Sequence, residues 1–174
     1  MTKDVIGAIK ERRSIRDFKP DPVPQQTLAR ILEAGNMAPS AGNLQPWHFY
    51  VFLKKESIHQ LAVRCGQPWI HSAPVIVVIV ADLKASEAEY GERGRTLYAI
   101  QDTAAAIQNM MLAAWAFGLG TCWIGAFNER KVADYIRVDI DKLRPVALLP
   151  IGYPETIPSS PAKKSLDEVV KIIK

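Results

Sequence analysis

Residues 74–81 read Pro-Val-Ile-Val-Val-Ile-Val-Ala, with no alternation of polar and apolar positions. A strand with one wet face alternates; a strand apolar throughout must be covered on both faces. The run therefore predicts a central strand, and the chain must supply helices around its sheet. A second apolar stretch, 103–120, supplies one of them. Ile100, Ala104, Ile107, Met111 and Ala114 step by four and three, and apolar residues fill most other positions. A helix over 96–117 is thus buried on several sides, and a partner subunit can cover one. Gln108, Asn109, many alanines and the lack of flanking basic anchors mark it as a core helix, not a membrane span.

The rest of the chain arranges itself around these two elements. Val5, Ile6 and Ile9 share one face of a first helix ending near Arg12. The run Pro20-Asp21-Pro22-Val23-Pro24 is a rigid extended linker. A second helix carries Leu28, Ile31, Leu32 and Gly35 inward and stops at Pro39. Residues 49–53 read as a strand, and Ser57 as the N-cap of a short helix. Residues 82–95 are charged, carry two glycines and read as a mobile surface excursion of the kind that borders active sites. Residues 121–125 and 145–151 read as strands, Asn128 caps a helix through Tyr135, and Ser165 with Glu168 forms a capping box. The irregular alternation of strands and helices points to an α+β fold, helices around one sheet, in a single domain over 1–174.

Composition narrows the function. A net charge of +4 is too modest for a nucleic-acid face with interleaved aromatics and fits a local anion site. Cys65 and Cys122 have no metal-like spacing and read as buried thiols of a reducing compartment, and the three histidines form no ligand motif; no metal is expected. No apolar run follows Met1, so no signal peptide is expected, and the location is cytoplasmic.

Two segments carry chemistry. Arg12-Arg13-Ser14-Ile15-Arg16 puts three arginines and a hydroxyl at a helix end. Such charge can simply complement the helix dipole, or it can bind phosphate through the guanidinium fork. Pro39-Ser40-Ala41-Gly42-Asn43-Leu44-Gln45-Pro46-Trp47 is a small-residue loop leading into a strand. It can be a helix stop and turn, or a place where a flat polar ring lies close to the backbone. Together they suit a ligand with an anionic tail and a hydrogen-bonding ring, such as a flavin nucleotide. Gly118-Leu119-Gly120 follows a helix and lacks the third glycine, which makes it a C-cap and not a dinucleotide fingerprint.

With Ser72-Ala73-Pro74, the run Gly118-Leu119-Gly120-Thr121-Cys122-Trp123-Ile124-Gly125 and Leu149-Pro150-Ile151-Gly152-Tyr153-Pro154, these segments resemble the FMN-dependent nitroreductase superfamily, of the compact, oxygen-insensitive type. The resemblance spans nearly the whole chain. It implies a central, mostly antiparallel sheet flanked by helices, in an interlocked homodimer that exchanges terminal segments and holds FMN at its interface. By the same resemblance, Arg12, Arg13, Ser14 and Arg16 form a flavin-binding cluster, Arg12 at the phosphate and Arg16 at the N1/O2 edge. Pro39, Ser40, Ala41 and Asn43 match the loop that the partner lays against the flavin. Gln67 falls at the pyrimidine edge, Ile124, Gly125 and Ala126 near N5, and Lys163 and Lys164 at the phosphate, where the family commonly has arginine. The short 82–95 segment implies an open, permissive pocket.

The implied activity is a ping-pong oxidoreduction in which NADH or NADPH reduces FMN at N5 and a nitroaromatic, quinone or flavin acceptor reoxidises it. No side chain is a catalytic acid, base or nucleophile; Arg16 tunes the ring electrostatically. The alternatives are a specialised member of the fold, reductively dehalogenating or flavin-fragmenting, and a flavin-binding redox module without turnover. Neither nucleic acid nor membrane is an expected partner.

Overall fold

A computed structural model describes residues 4–173 of the chain; residues 1–3 and 174, which the single-domain and leader readings include, lie outside it. Helices α1 (Val5–Glu11) and α2 (Gln25–Asn36) precede strand β1 (Trp47–Phe52), and α3 (Lys55–Cys65) precedes β2 (Val75–Asp82). Then come α4 (Leu83–Arg93), α5 (Ala99–Ala116), β3 (Gly120–Thr121), α6 (Glu129–Ile136), β4 (Leu143–Gly152) and α7 (Leu166–Val169). The described strands form one antiparallel sheet in the order β1-β2-β4-β3.

β2 is the central strand that its composition requires. Val75 through Ala81 are buried, with β1 on one side and β4 on the other. Its alternate residues feed two cores. Ile76, Val78 and Val80 pack with Ile58, Leu61 and Trp115, and Val75, Val77 and Ile79 pack with Ile31, Ile107 and Met110. The sheet is therefore covered by α3 and α6 on one face and by α2 and α5 on the other. α5 ends where Gly118 turns left-handed (φ 78°), the conformation a helix stop asks of glycine.

Three expectations are corrected. Residues 82–95 are not a loop: the Asp82 carboxylate accepts the Ala85 N–H at 2.9 Å and starts α4, and a π-helical turn over Gly94–Tyr98 leads into α5. Leucine, alanine, lysine and glutamate at 83–89 favour helix, and the glycines serve a kink at Gly91 and a close approach of Gly94 to the Ser86 carbonyl. Ser57 is not the cap of α3, which begins at Lys55; its hydroxyl donates to the Lys54 carbonyl at 2.8 Å. The strand read at 121–125 is only Gly120–Thr121, followed by a separate bridge between Ile124 and Leu148.

Candidate functional site

The arginine segment is fixed by its backbone. Ser14 bridges Thr121, and the Ile15 N–H donates to the Thr121 carbonyl at 2.9 Å. Ile15 is buried against Gly120, where an added Cβ would overlap its side chain. This seat beside β3 brings Arg16 to a cavity of about 180 Å³, lined also by Gln67, Trp69 and residues 122–126.

Gln67 is aimed by two bonds. Its Nε2 donates to the Ala126 carbonyl at 2.6 Å, and its Oε1 accepts the Trp69 indole N–H at 2.9 Å. Ile124 exchanges backbone bonds with Leu148, so its own N–H is committed to the sheet. The N–H groups of Gly125 and Ala126 make no hydrogen bond among the described residues and remain free donors. Burial pushes the Cys122 thiol up, while Arg16, a hydrogen bond with Ser14 and Arg12 pull the other way. Of Arg12, Ser14 and Arg16, it is Arg16 that lines the cavity, and Arg12 lies near enough for its charge to act on the thiol. Among the described residues neither Arg12 nor Arg16 has a carboxylate partner, so their charge is available to an anion. Arg13 is turned away: its Nη1 donates to the Lys10 and Arg12 carbonyls, each at 2.9 Å, closing the end of α1.

The second predicted segment lies apart. Residues 39–45 do not line the cavity. Ser40 Oγ accepts the Gln45 N–H at 2.9 Å, the Ala41 N–H donates to the Asp102 carboxylate, and Gly42, Asn43 and Gln45 are left-handed. Lys163 and Lys164 sit on an exposed C-terminal segment and do not line the cavity either. A larger groove of about 650 Å³, between Phe18, Leu53, His71 and Pro74, contains none of the predicted residues.

The cavity suits one end of a flavin nucleotide: unpaired guanidinium charge for a phosphate or a pyrimidine carbonyl, an oriented amide, and free backbone donors. It is too small for a whole nucleotide, since ligand pockets span roughly 300–1,000 Å³. The reading of the sequence missed Trp69, Cys122 and Trp123 in the lining and Asp102 behind the loop. Membership of the 118–125 motif could have flagged Cys122 and Trp123. Asp102 is the sole charged residue of α5, a signal in itself.

The sequence profile of the nitroreductase family matches residues 9–65 and 53–153. An NADH dehydrogenase of Thermus thermophilus is 33% identical over 181 residues, covering 87% of this chain and 87% of the relative. An NAD(P)H-dependent FMN reductase of Bacillus subtilis is 29% identical over 165 residues, covering 87% of this chain and 66% of the relative. The crystal structure of a nitroreductase family protein from Clostridium difficile superposes with a TM-score of 0.84 at 28% identity, covering 97% of each chain. By the motifs beside β3, the antiparallel sheet and these matches, the chain belongs to the nitroreductase family.

Proposed function

We propose that this chain passes electrons from NADH or NADPH to nitroaromatic, quinone or flavin acceptors in a ping-pong cycle, with both substrates using one pocket in turn. It is an NAD(P)H-dependent oxidoreductase with FMN as its cofactor. Bound FMN supplies two-electron redox chemistry at N5. The observation that carries the reading is the meeting of Arg16, Gln67 and the free N–H groups of Gly125 and Ala126 at one cavity, with Arg12 near enough for its charge to act on Cys122 in the lining.

In this reading Arg12 binds the phosphate and Arg16 sets positive charge at the pyrimidine edge, where it favours the reduced, anionic ring. Gln67 orients that edge, and Gly125 and Ala126 offer backbone donors toward N5. Pro39, Ser40, Ala41 and Asn43 are contributed by the other subunit of a homodimer, and Lys163 and Lys164 reach the phosphate once the C-terminal segment is in place. Three features support the dimer. Val5, Ile6 and Ile9 of α1 are more than half exposed. The C-terminal segment leaves large apolar side chains bare, with Ile172 79% and Ile173 91% exposed. The outer edge of β1 has no partner strand among the described residues. Among those residues no helix is long and apolar enough to cross a membrane. Buried free thiols at Cys65 and Cys122 fit a cytoplasmic enzyme.

Steady-state kinetics with NADH and a nitroaromatic, a quinone or FMN as acceptor tests the reading. Parallel double-reciprocal lines with at least one acceptor class are expected. An FMN-loaded protein that oxidises neither NADH nor NADPH with any of them would be a binding module and would overturn it.

A further inference from the structure

The loop at 39–45 turns through three left-handed residues. Gly42, Asn43 and Gln45 have φ of 56°, 56° and 52°. Glycine and asparagine enter this region readily, whereas a glutamine persists there when its surroundings force it. Within the loop, Ser40 Oγ accepts the Gln45 N–H at 2.9 Å, and Gln45 Nε2 donates to the Asn43 carbonyl at 3.0 Å.

Two residues grip it from outside. Asp102, on α5, receives the Ala41 N–H on both carboxylate oxygens, at 3.1 and 3.2 Å. Tyr90, on α4, sets its hydroxyl close over Gly42, where a Cβ would press on it. Tyr90 packs edge-on against Tyr98, with ring centroids 5.3 Å apart, and the Tyr98 hydroxyl accepts from Arg93 Nε at 2.9 Å. Asp102 is 7% exposed and forms no ion pair among the described residues. A carboxylate buried without a cation is costly, and packing alone would be served by an apolar residue. Among the described residues, the one partner it holds is a loop N–H 61 residues away.

We propose that Asp102 is a positioning residue of the cofactor site: by gripping the Ala41 N–H, it fixes the left-handed backbone that presents Ser40 and Asn43 to FMN. The inference rests on the reading of residues 39–43 as the flavin loop. Burial, which raises the carboxyl above its usual range against the opposing Ala41 N–H, agrees with a group kept for this contact.

The test uses the full-length protein and FMN fluorescence quenching, with circular dichroism and melting curves to establish folding. Asp102→Ala should weaken FMN binding by at least about tenfold, the scale of a lost hydrogen bond to a charged group. Asp102→Asn keeps an acceptor oxygen and should stay within about threefold of wild type. Ala41→Pro removes the donor and leaves Asp102 in place. The extended Ser40 (φ −143°, ψ 155°) tolerates a following proline, and this variant should match Asp102→Ala. Folded Asp102→Ala and Ala41→Pro proteins that bind FMN as tightly as wild type, with the same bound-flavin spectrum, would overturn the proposal. So would a merely structural pattern, in which melting temperature falls but the folded protein keeps its FMN affinity. If the variants do not fold, amide exchange in wild-type protein decides: Ala41 protected supports the grip, Ala41 unprotected overturns it. Wild-type protein that binds no FMN would instead defeat the flavin-loop reading itself.

Discussion

At the scale of single residues, the site is made of charges left without partners. Arg16 is the clearest. It lines the cavity, has no carboxylate beside it among the described residues, and acts on the Cys122 thiol. Arg16→Ala should slow reduction of the bound flavin by about 10-fold or more, the scale of losing one preorganised charge donor, and move its midpoint potential negative. Stopped-flow reduction and redox titration check this; an unchanged rate and potential contradict it. Asp102 makes a second prediction, about pH. Burial raises its carboxyl above the ordinary 3.8. Between the unfolded and the raised native pKa the folded protein holds more protons than the unfolded chain, so stability falls as pH rises through that window. The stabilisation is full below pH 3.8 and gone above the native value. Urea unfolding of wild type and Asp102→Asn, stepped upward from pH 3.8, should show wild type losing stability relative to the variant. A constant difference contradicts the account.

At the scale of elements, ends are set by individual side chains. Asn128 accepts the Lys131 N–H at 3.0 Å and begins α6, whose Glu129 holds Arg144 of β4 through paired contacts at 2.8 and 2.9 Å. Asn128→Ala should cost about 1 kcal/mol of unfolding free energy, measured by denaturant melts. A change within about 0.3 kcal/mol would mean the helix start is set by packing alone. This cap, the capping box of α7, the fully buried β2 and the faces of α2 and α5 were all legible in the sequence, because periodicity and cap chemistry are local. The helix at 83–93 was not. Gly91 and Gly94 suggested a loop, whereas one serves a kink and the other a contact that is visible only once the turn packs on Ser86. Nor does an arginine's type tell that Arg13 Nη1 turns back to two carbonyls. Asp102 and the loop it holds lie 61 residues apart, a pairing that no local pattern announces.

At the scale of the whole molecule, the two halves of the predicted site do not meet within one chain. Arg16, Gln67 and residues 124–126 share a cavity; residues 39–43 and Lys163 with Lys164 stand elsewhere. The C-terminal segment leaves Ile172 and Ile173 bare, and the outer edge of β1 has no partner strand among the described residues. Two copies that exchange those segments would bury both and bring the halves together. A chain ending at Thr156 should therefore sediment as a monomer and lose FMN, while the full chain sediments as a dimer. A truncated dimer that keeps FMN would contradict the exchange. The central claim, that this fold carries reducible FMN, has a more direct test. An absorption spectrum of the purified protein, recorded without oxygen before and after NADH, should show a flavin that bleaches and then recovers when an acceptor is added. Colourless protein that takes up no FMN, or a bound flavin that neither NADH nor NADPH bleaches, would contradict it.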